Sequence, residues 1–154
     1  MQFFGSLLFA INMYMLQAYT GAILNTIGII RAITYVNKNK IKSIKIVNAI
    51  FIVIYLLSYL ATFVLFDKAV TLANLLLEIL PVVAMIATTI SFSLPTSASI
   101  RKFAFISSPA WLIYNCFNLA IGGIICERFS LISIVTAMIR LDMRKDDGHD
   151  NTNA

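Results

Sequence analysis

Long apolar stretches, separated by short polar connectors, make up most of this chain of 154 residues. Four of these stretches carry no charged residue: 1–30, 46–66, 79–100 and 103–126. A run of about 20 apolar residues is long enough to cross a hydrocarbon layer roughly 30 Å thick. The pattern therefore predicts an all-α, polytopic helical membrane protein with about six transmembrane helices in the lipid bilayer.

The predicted helices form a single transmembrane domain over residues 1–141. Their predicted bounds are 3–18, 21–37, 44–66, 70–94, 102–121 and 123–141. The first two helices and the last two are each joined with almost no loop, at Gly21 and at Gly122, because glycine allows a tight turn. The polar residues 142–154, which contain His149, lack apolar periodicity and are predicted to form a disordered cytoplasmic tail.

The first and last predicted hairpins have similar sequences. FAINMYMLQAYTGAILNTIGIIR, residues 9–31, aligns without a gap on WLIYNCFNLAIGGIICERFSLIS, which lies 102 residues further along. In this alignment Gly21 falls on Gly123, and Asn25 falls on Glu127. Internal repeats with polar groups at matching depth are typical of small transporters. The sequence therefore predicts a helix-hairpin repeat.

Positively charged residues concentrate in the predicted connectors. With an even number of spans, most of them fall on one side of the membrane: Lys38, Lys40, Lys42, Lys45, Arg101, Lys102, Arg140, Arg144 and Lys145. Lys68 lies in a connector on the opposite side. The positive-inside rule then predicts a multi-pass protein with both termini in the cytoplasm.

The composition supports a membrane protein and argues against two other classes. Charged residues make up 12% of the chain, whereas a soluble domain has roughly 25%. The net charge of +5 does not indicate a nucleic-acid partner, because the basic residues lie where lipid headgroups are expected. The first residues lack a positively charged region and a small-residue cleavage site, so no cleaved signal peptide is expected.

Two polar residues occupy matching positions inside predicted spans. Glu127 lies about four residues into the last span, and an ionised carboxylate deep in a bilayer costs on the order of 2.5–3.5 kcal/mol. It therefore either faces a polar pathway or lies near the outer headgroups beside Arg128. Asn25 can hydrogen-bond a solute hydroxyl, or it can bridge two helices.

Aromatic and amide side chains near these two residues extend the candidate site. Trp111 and Phe9 offer faces on which a ring can stack, or they pack between helices. The predicted solute-binding residues are Asn25, Glu127, Trp111, Asn115, Tyr114 and Phe9.

Further charges and prolines interrupt the apolar runs. Arg31 is expected to snorkel to the cytoplasmic end of its helix, although a pair with Glu78 is an alternative. Pro81 and Pro109 each remove a backbone hydrogen bond and kink a helix. They are predicted to be gating hinges, with static bends as the alternative.

Catalytic, cofactor and metal motifs do not occur in the sequence. His149 is the chain's single histidine, and there is no P-loop, no GxGxxG and no metal-ligand spacing. Cys116 and Cys126 are interpreted as small buried hydrophobic residues, with a disulfide left open. We therefore expect no enzyme, no cofactor and no metal.

Two resemblances extend this interpretation. PAWLIYN, followed by Glu127 sixteen residues after Trp111, resembles the second and third helices of SWEET and SemiSWEET sugar transporters. Pro81 stands roughly where those families have the proline of a Pro-Gln motif, but Val82 replaces the glutamine. The resemblance implies two helical bundles and a linker helix, with the first helix of the first bundle missing here.

Over nearly its whole length the chain more closely resembles the bacterial inner-membrane family named after YgjV, through GAILNTIGIIRAITY, SSPAWLIYN and CERFSLIS. Together the resemblances imply an inner-membrane transporter of a small polar, sugar-like solute that works by alternating access. The alternative is a non-transporting structural or assembly partner. In that case the small residues Ser6, Ala10, Ala18 and Ala22 would pack in a homo-oligomer.

Overall fold

Six α-helices make up the described part of the chain. The computed structural model describes residues 2–37 and 40–143, and these residues contain no β-strand. The helices are α1 (Gln2–Met15), α2 (Tyr19–Val36), α3 (Ile44–Leu65), α4 (Leu72–Ser93), α5 (Ser97–Phe117) and α6 (Ile121–Ala137). The predicted all-α class is therefore confirmed.

Some helices begin or end at other residues than predicted, and at the start of α5 the reason is an N-cap. α5 begins at Ser97 rather than at residue 102, because the Thr96 hydroxyl accepts a hydrogen bond from the Ser99 N–H. After α6 the chain continues as a π-helical segment, Met138–Met143. Part of the predicted tail thus belongs to a helix, and the rest of that tail, from residue 144, lies outside the described residues.

The first and last hairpins turn in the same way. Gln17 and Leu119 have left-handed backbones, with φ of 57° and 54°, and they are 102 positions apart. The main-chain hydrogen bonds that close the two turns also correspond: Ala18 N–H to Met13 O, and Ala120 N–H to Asn115 O, each 2.9 Å. The predicted glycines adjoin these turns but do not supply the left-handed residue.

Apolar side chains cover much of the outside of the helices, while the interior contains both apolar and polar side chains. Many large apolar residues are exposed on the outside, among them Leu8, Val64 and Phe129. Apolar residues such as Leu24, Tyr55 and Val82 form a core, and polar or charged side chains are buried beside them: Thr20, Arg31, Ser58, Thr62, Glu78, Thr89, Ser91, Ser107, Ser108 and Asn115. An apolar exterior with polar groups turned inward is typical of a protein that is surrounded by lipid.

Two of the described helices, α3 and α4, are long and apolar enough to cross a membrane, judged by length and composition. Phe4–Met15 is a shorter apolar helix. α2 and α5 carry polar residues such as Arg31 and Asn115, which lower their hydropathy. Both of these side chains point into the interior of the protein.

Several small side chains are placed differently from their predictions. Cys116 and Cys126 are free thiols and are exposed rather than buried, because they lie on the outer faces of α5 and α6. Ala10, Ala18 and Ala22, predicted to pack against another subunit, are buried within the chain. They allow α1 and α2 to approach each other closely, so they do not form an outward-facing surface.

Candidate functional site

A polar cavity of about 290 Å³ lies between the helices. Helices α2, α4, α5 and α6 contribute most of its lining, and α1 adds Ser6. Ligand pockets usually span roughly 300–1,000 Å³, so this volume suits a small molecule. Much of the lining consists of hydroxyl side chains: Ser6, Thr88, Ser91, Ser107, Ser108 and Ser130.

Asn25 and Glu127, the two residues matched by the internal alignment, both line this cavity. They also line a smaller cavity of about 80 Å³. The side-chain amide of Asn25 donates to the Gly21 carbonyl at 2.9 Å, and the carboxyl of Glu127 has the Ser108 hydroxyl as a hydrogen-bond neighbour. Both side chains are half-buried and face a shared space.

Trp111, Phe9 and Asn115 also lie at these cavities. Trp111 lines both, whereas Phe9 and Asn115 line the smaller one. Asn115 is buried, and its Oδ1 atom accepts no hydrogen bond from any described group. Five of the six predicted solute-binding residues are thus brought together, and their binding role stays a prediction.

Tyr114, the sixth, lines neither cavity. Its side chain is fully buried, and its hydroxyl accepts from the Gly21 N–H at 3.1 Å and donates to Glu78 at 3.3 Å. The absence of a side chain at Gly21 leaves the space that the Tyr114 ring occupies. Tyr114 thus adds no lining to these two cavities, because its hydroxyl is bonded between helices, and its solute-binding role stays a prediction.

Glu78 is held by neighbours other than the one considered from the sequence. Its carboxylate forms an ion pair with Lys68 of the α3–α4 connector and accepts the bond from Tyr114. The alternative pairing of Glu78 with Arg31 is therefore wrong. The result is a continuous path of polar contacts from Lys68 through Glu78 and Tyr114 to Gly21.

Arg31 lies in the cavity wall and does not snorkel. The residue is 3% exposed, and its Nη1 donates to the Met85 carbonyl at 3.4 Å and to the Thr89 hydroxyl at 3.3 Å. Its guanidinium carbon lies 5.1 Å from the centre of the Phe92 ring. Sequence reasoning missed Arg31 as a site residue, although the signal was present as a cation two turns inside an apolar helix.

Pro81 and Pro109 lie within continuous helices. α4 extends through Pro81 to Ser93, and α5 extends through Pro109 to Phe117. Pro81 is fully buried at the helix contacts, whereas Pro109 is half-buried. Their role as hinges stays a prediction.

Comparison with known proteins identifies the family of this chain. A family model described as Imp-YgjV, a bacterial inner membrane protein, matches residues 1–145. No curated protein and no solved structure matches the chain. Because the family match covers nearly all of the sequence, the chain belongs to the Imp-YgjV family of bacterial inner membrane proteins.

Proposed function

We propose that the protein carries a small polar solute across the bacterial inner membrane by alternating access. One observation carries the proposal: Asn25 and Glu127, which correspond in the two hairpins, line one polar cavity. A polar cavity enclosed by an apolar exterior is what a solute pathway through lipid requires. Membership of an inner-membrane family is consistent with that setting.

Six membrane spans with both termini in the cytoplasm are part of the proposal. The exposed apolar side chains on all six helices support it, because such faces suit a lipid environment. The polar residues that lower the hydropathy of α2 and α5 are buried, so they do not meet lipid. The distribution of lysine and arginine supports the proposed orientation.

A SWEET-like arrangement of duplicated hairpins also belongs to the proposal. The corresponding turns at Gln17 and Leu119, and the corresponding hydrogen bonds around them, support a duplication. In this arrangement α3 is the linker helix, and α4–α6 form the second bundle. The cavity rather than the fold supports the transport function, since a fold alone does not fix an activity.

Transport is tested with purified protein in proteoliposomes. The assay follows uptake of radiolabelled glucose, glycine, β-alanine and 4-aminobutyrate into vesicles. We expect at least one solute to enter. Glu127→Gln should reduce its flux about tenfold or more, since a hydrogen bond to a charged group contributes roughly 1.5–3 kcal/mol, and Asn25→Ala should reduce it about twofold to tenfold, since a neutral hydrogen bond contributes roughly 0.5–1.5 kcal/mol.

Arg128→Gln is the matched control, because Arg128 neighbours Glu127 but is exposed and lines neither cavity. Its flux should equal that of the wild type. Equal flux in all variants, or no flux above protein-free vesicles for any solute, would contradict the proposal.

The competing assignment as an assembly partner stays a prediction, but the small residues named for it are placed elsewhere. Ala10, Ala18 and Ala22 are buried inside the chain, and Ser6 lines the polar cavity. No outward stripe of these small residues is left for a second subunit to pack on.

A further inference from the structure

Two opposite charges share the polar cavity, and neither has an ion-pair partner within the described part of the chain. Arg31 and Glu127 both line the cavity. The ion pair found among the described residues joins Lys68 to Glu78 and leaves both of them out. A charge in a cavity of low dielectric is stabilised by an opposite charge, so ligand groups of opposite sign are favoured at both side chains.

The guanidinium of Arg31 is poised for an anion. Its Nε atom is buried and has no hydrogen-bond partner among the described residues. The bonds from Nη1 are long, at 3.3 to 3.6 Å, and all three acceptors are uncharged. A guanidinium binds a carboxylate through two parallel hydrogen bonds, so a small carboxylate in the cavity suits a guanidinium that has an unpartnered Nε and long bonds to neutral acceptors.

The region around Glu127 is suited to a cation. Asn115 contributes Oδ1, an acceptor without a described donor, at the smaller cavity that Glu127 also lines. Trp111 lines the same space, and an indole face attracts a cation. An ammonium group has three donors and no acceptor, which fits a carboxylate beside an amide oxygen.

We propose that the solute is a small zwitterion of the amino-acid type, with its carboxylate bound by Arg31 and its ammonium group bound by Glu127. This proposal rests on the proposed function, of which it names the substrate class. A neutral sugar would leave both charges unpaired, whereas a zwitterion compensates both of them. The cavity volume of about 290 Å³ restricts the solute to a small one.

Titration calorimetry on the purified wild-type protein tests whether the solute is a zwitterion, and it needs no substitution. The zwitterions glycine, β-alanine and 4-aminobutyrate differ in the spacing of their charges. Each is compared with the carboxylic acid and the amine of matching chain length, and with glucose. We expect at least one zwitterion to bind, and removal of either charged group to weaken binding by about tenfold to a hundredfold, because each group makes a charge-assisted hydrogen bond.

Variants then assign each charge to its residue. Arg31→Gln should remove the preference for the carboxylate group, Glu127→Gln should remove the preference for the ammonium group, and Arg31→Lys should partly restore zwitterion binding. Arg128→Gln, exposed and outside both cavities, should bind as the wild type does. Circular dichroism checks the folding of each variant. If Arg31→Gln does not fold, the ligand series on the wild type and the Glu127→Gln variant still test whether the solute is a zwitterion.

The outcomes separate the two proposals. Binding and flux of glucose with no binding of any zwitterion would overturn the zwitterion class and leave a transporter. Equal binding of a zwitterion and its single-charge counterparts would also overturn the class. Absence of both binding and flux for every solute would overturn the transport function itself.

Discussion

At the scale of single residues, the close approach of the two hairpins depends on Gly21. A Cβ atom added there would lie 2.8 Å from Cε1 of Tyr114 and 3.3 Å from the sulfur of Met13. The Tyr114 ring is fully buried and cannot retreat without breaking its bonds to Gly21 and Glu78.

Gly21→Ala should therefore destabilise the protein by about 1–3 kcal/mol, the usual cost of forcing extra volume into a packed interior. Gly122→Ala is the matched control, since a Cβ atom there meets nothing within 4 Å and alanine favours a helix. Thermal unfolding in detergent measures both. A lower midpoint for Gly122→Ala than for Gly21→Ala would contradict the packing argument.

The hydroxyl of Tyr114 gives a second prediction at this scale. Tyr114→Phe removes the acceptor for the Gly21 N–H and one donor to Glu78. Leaving such buried groups unsatisfied costs about 1–3 kcal/mol. Tyr14→Phe, at an exposed position, should change the unfolding midpoint little. Equal midpoints for the two variants would show that the Tyr114 hydroxyl contributes nothing.

Individual residues also show what the sequence reveals and what it conceals. Asn25 and Glu127 were identifiable because polar residues in apolar helices turn inward, and the alignment gave them equal depth. Arg31 was recognisable as a cation two turns inside an apolar helix, but its neighbours were not identifiable, since a long side chain at that depth can equally reach the headgroups. Which residues accept the hydrogen bonds of the guanidinium depends on how α2 packs on α4.

At the scale of elements, α4 connects the structure by packing on α2, α3 and α5. Near its beginning, Glu78 binds Lys68 and Tyr114. Near its end, Ser93 bonds with Asn48 of α3, which also contacts the hydroxyl of Tyr35. These polar contacts fix both ends of a helix whose sides would otherwise be held by apolar packing alone.

The contact between Lys68 and Glu78 gives a prediction for this element. Lys68→Ala leaves a buried carboxylate without its cation, and we expect a loss of about 3 kcal/mol in the free energy of unfolding, typical of breaking a buried pair. Adding Glu78→Gln should recover much of this loss, because the glutamine needs no cation.

Lys45→Ala, which removes an exposed charge, is the control and should leave the unfolding midpoint unchanged. Denaturation in detergent compares all four proteins. A double variant as unstable as Lys68→Ala would contradict the pairing as the source of the loss.

The start of α5 shows which feature of a helix could not be predicted from the sequence. Helices were recognisable from apolar runs, but the start of α5 was not. Arg101 and Lys102 suggested a connector, whereas the cap at Thr96 lets the helix begin before them. An N-cap is a single hydrogen bond between one side chain and one backbone N–H group, so it cannot be predicted from composition.

At the scale of the whole molecule, the orientation in the membrane is the prediction to test. In a variant lacking Cys116 and Cys126, single cysteines are placed at Val70 and at Lys42, both exposed positions in connectors. Val70→Cys should react with a membrane-impermeant maleimide added to intact spheroplasts. Lys42→Cys should react only after the membrane is permeabilised. The reverse pattern would contradict cytoplasmic termini.

The path from Lys68 through Glu78 and Tyr114 to Gly21 has a consequence for biogenesis. The helices α2 and α4 are synthesised before Tyr114. In a partly synthesised chain the Gly21 N–H therefore lacks the Tyr114 hydroxyl as its acceptor, and Glu78 has only Lys68 as its partner. Arrival of α5 satisfies both at once. Completion of the second hairpin thus completes the polar contacts of the first, and a chain truncated ahead of α5 lacks both hydrogen bonds of the Tyr114 hydroxyl.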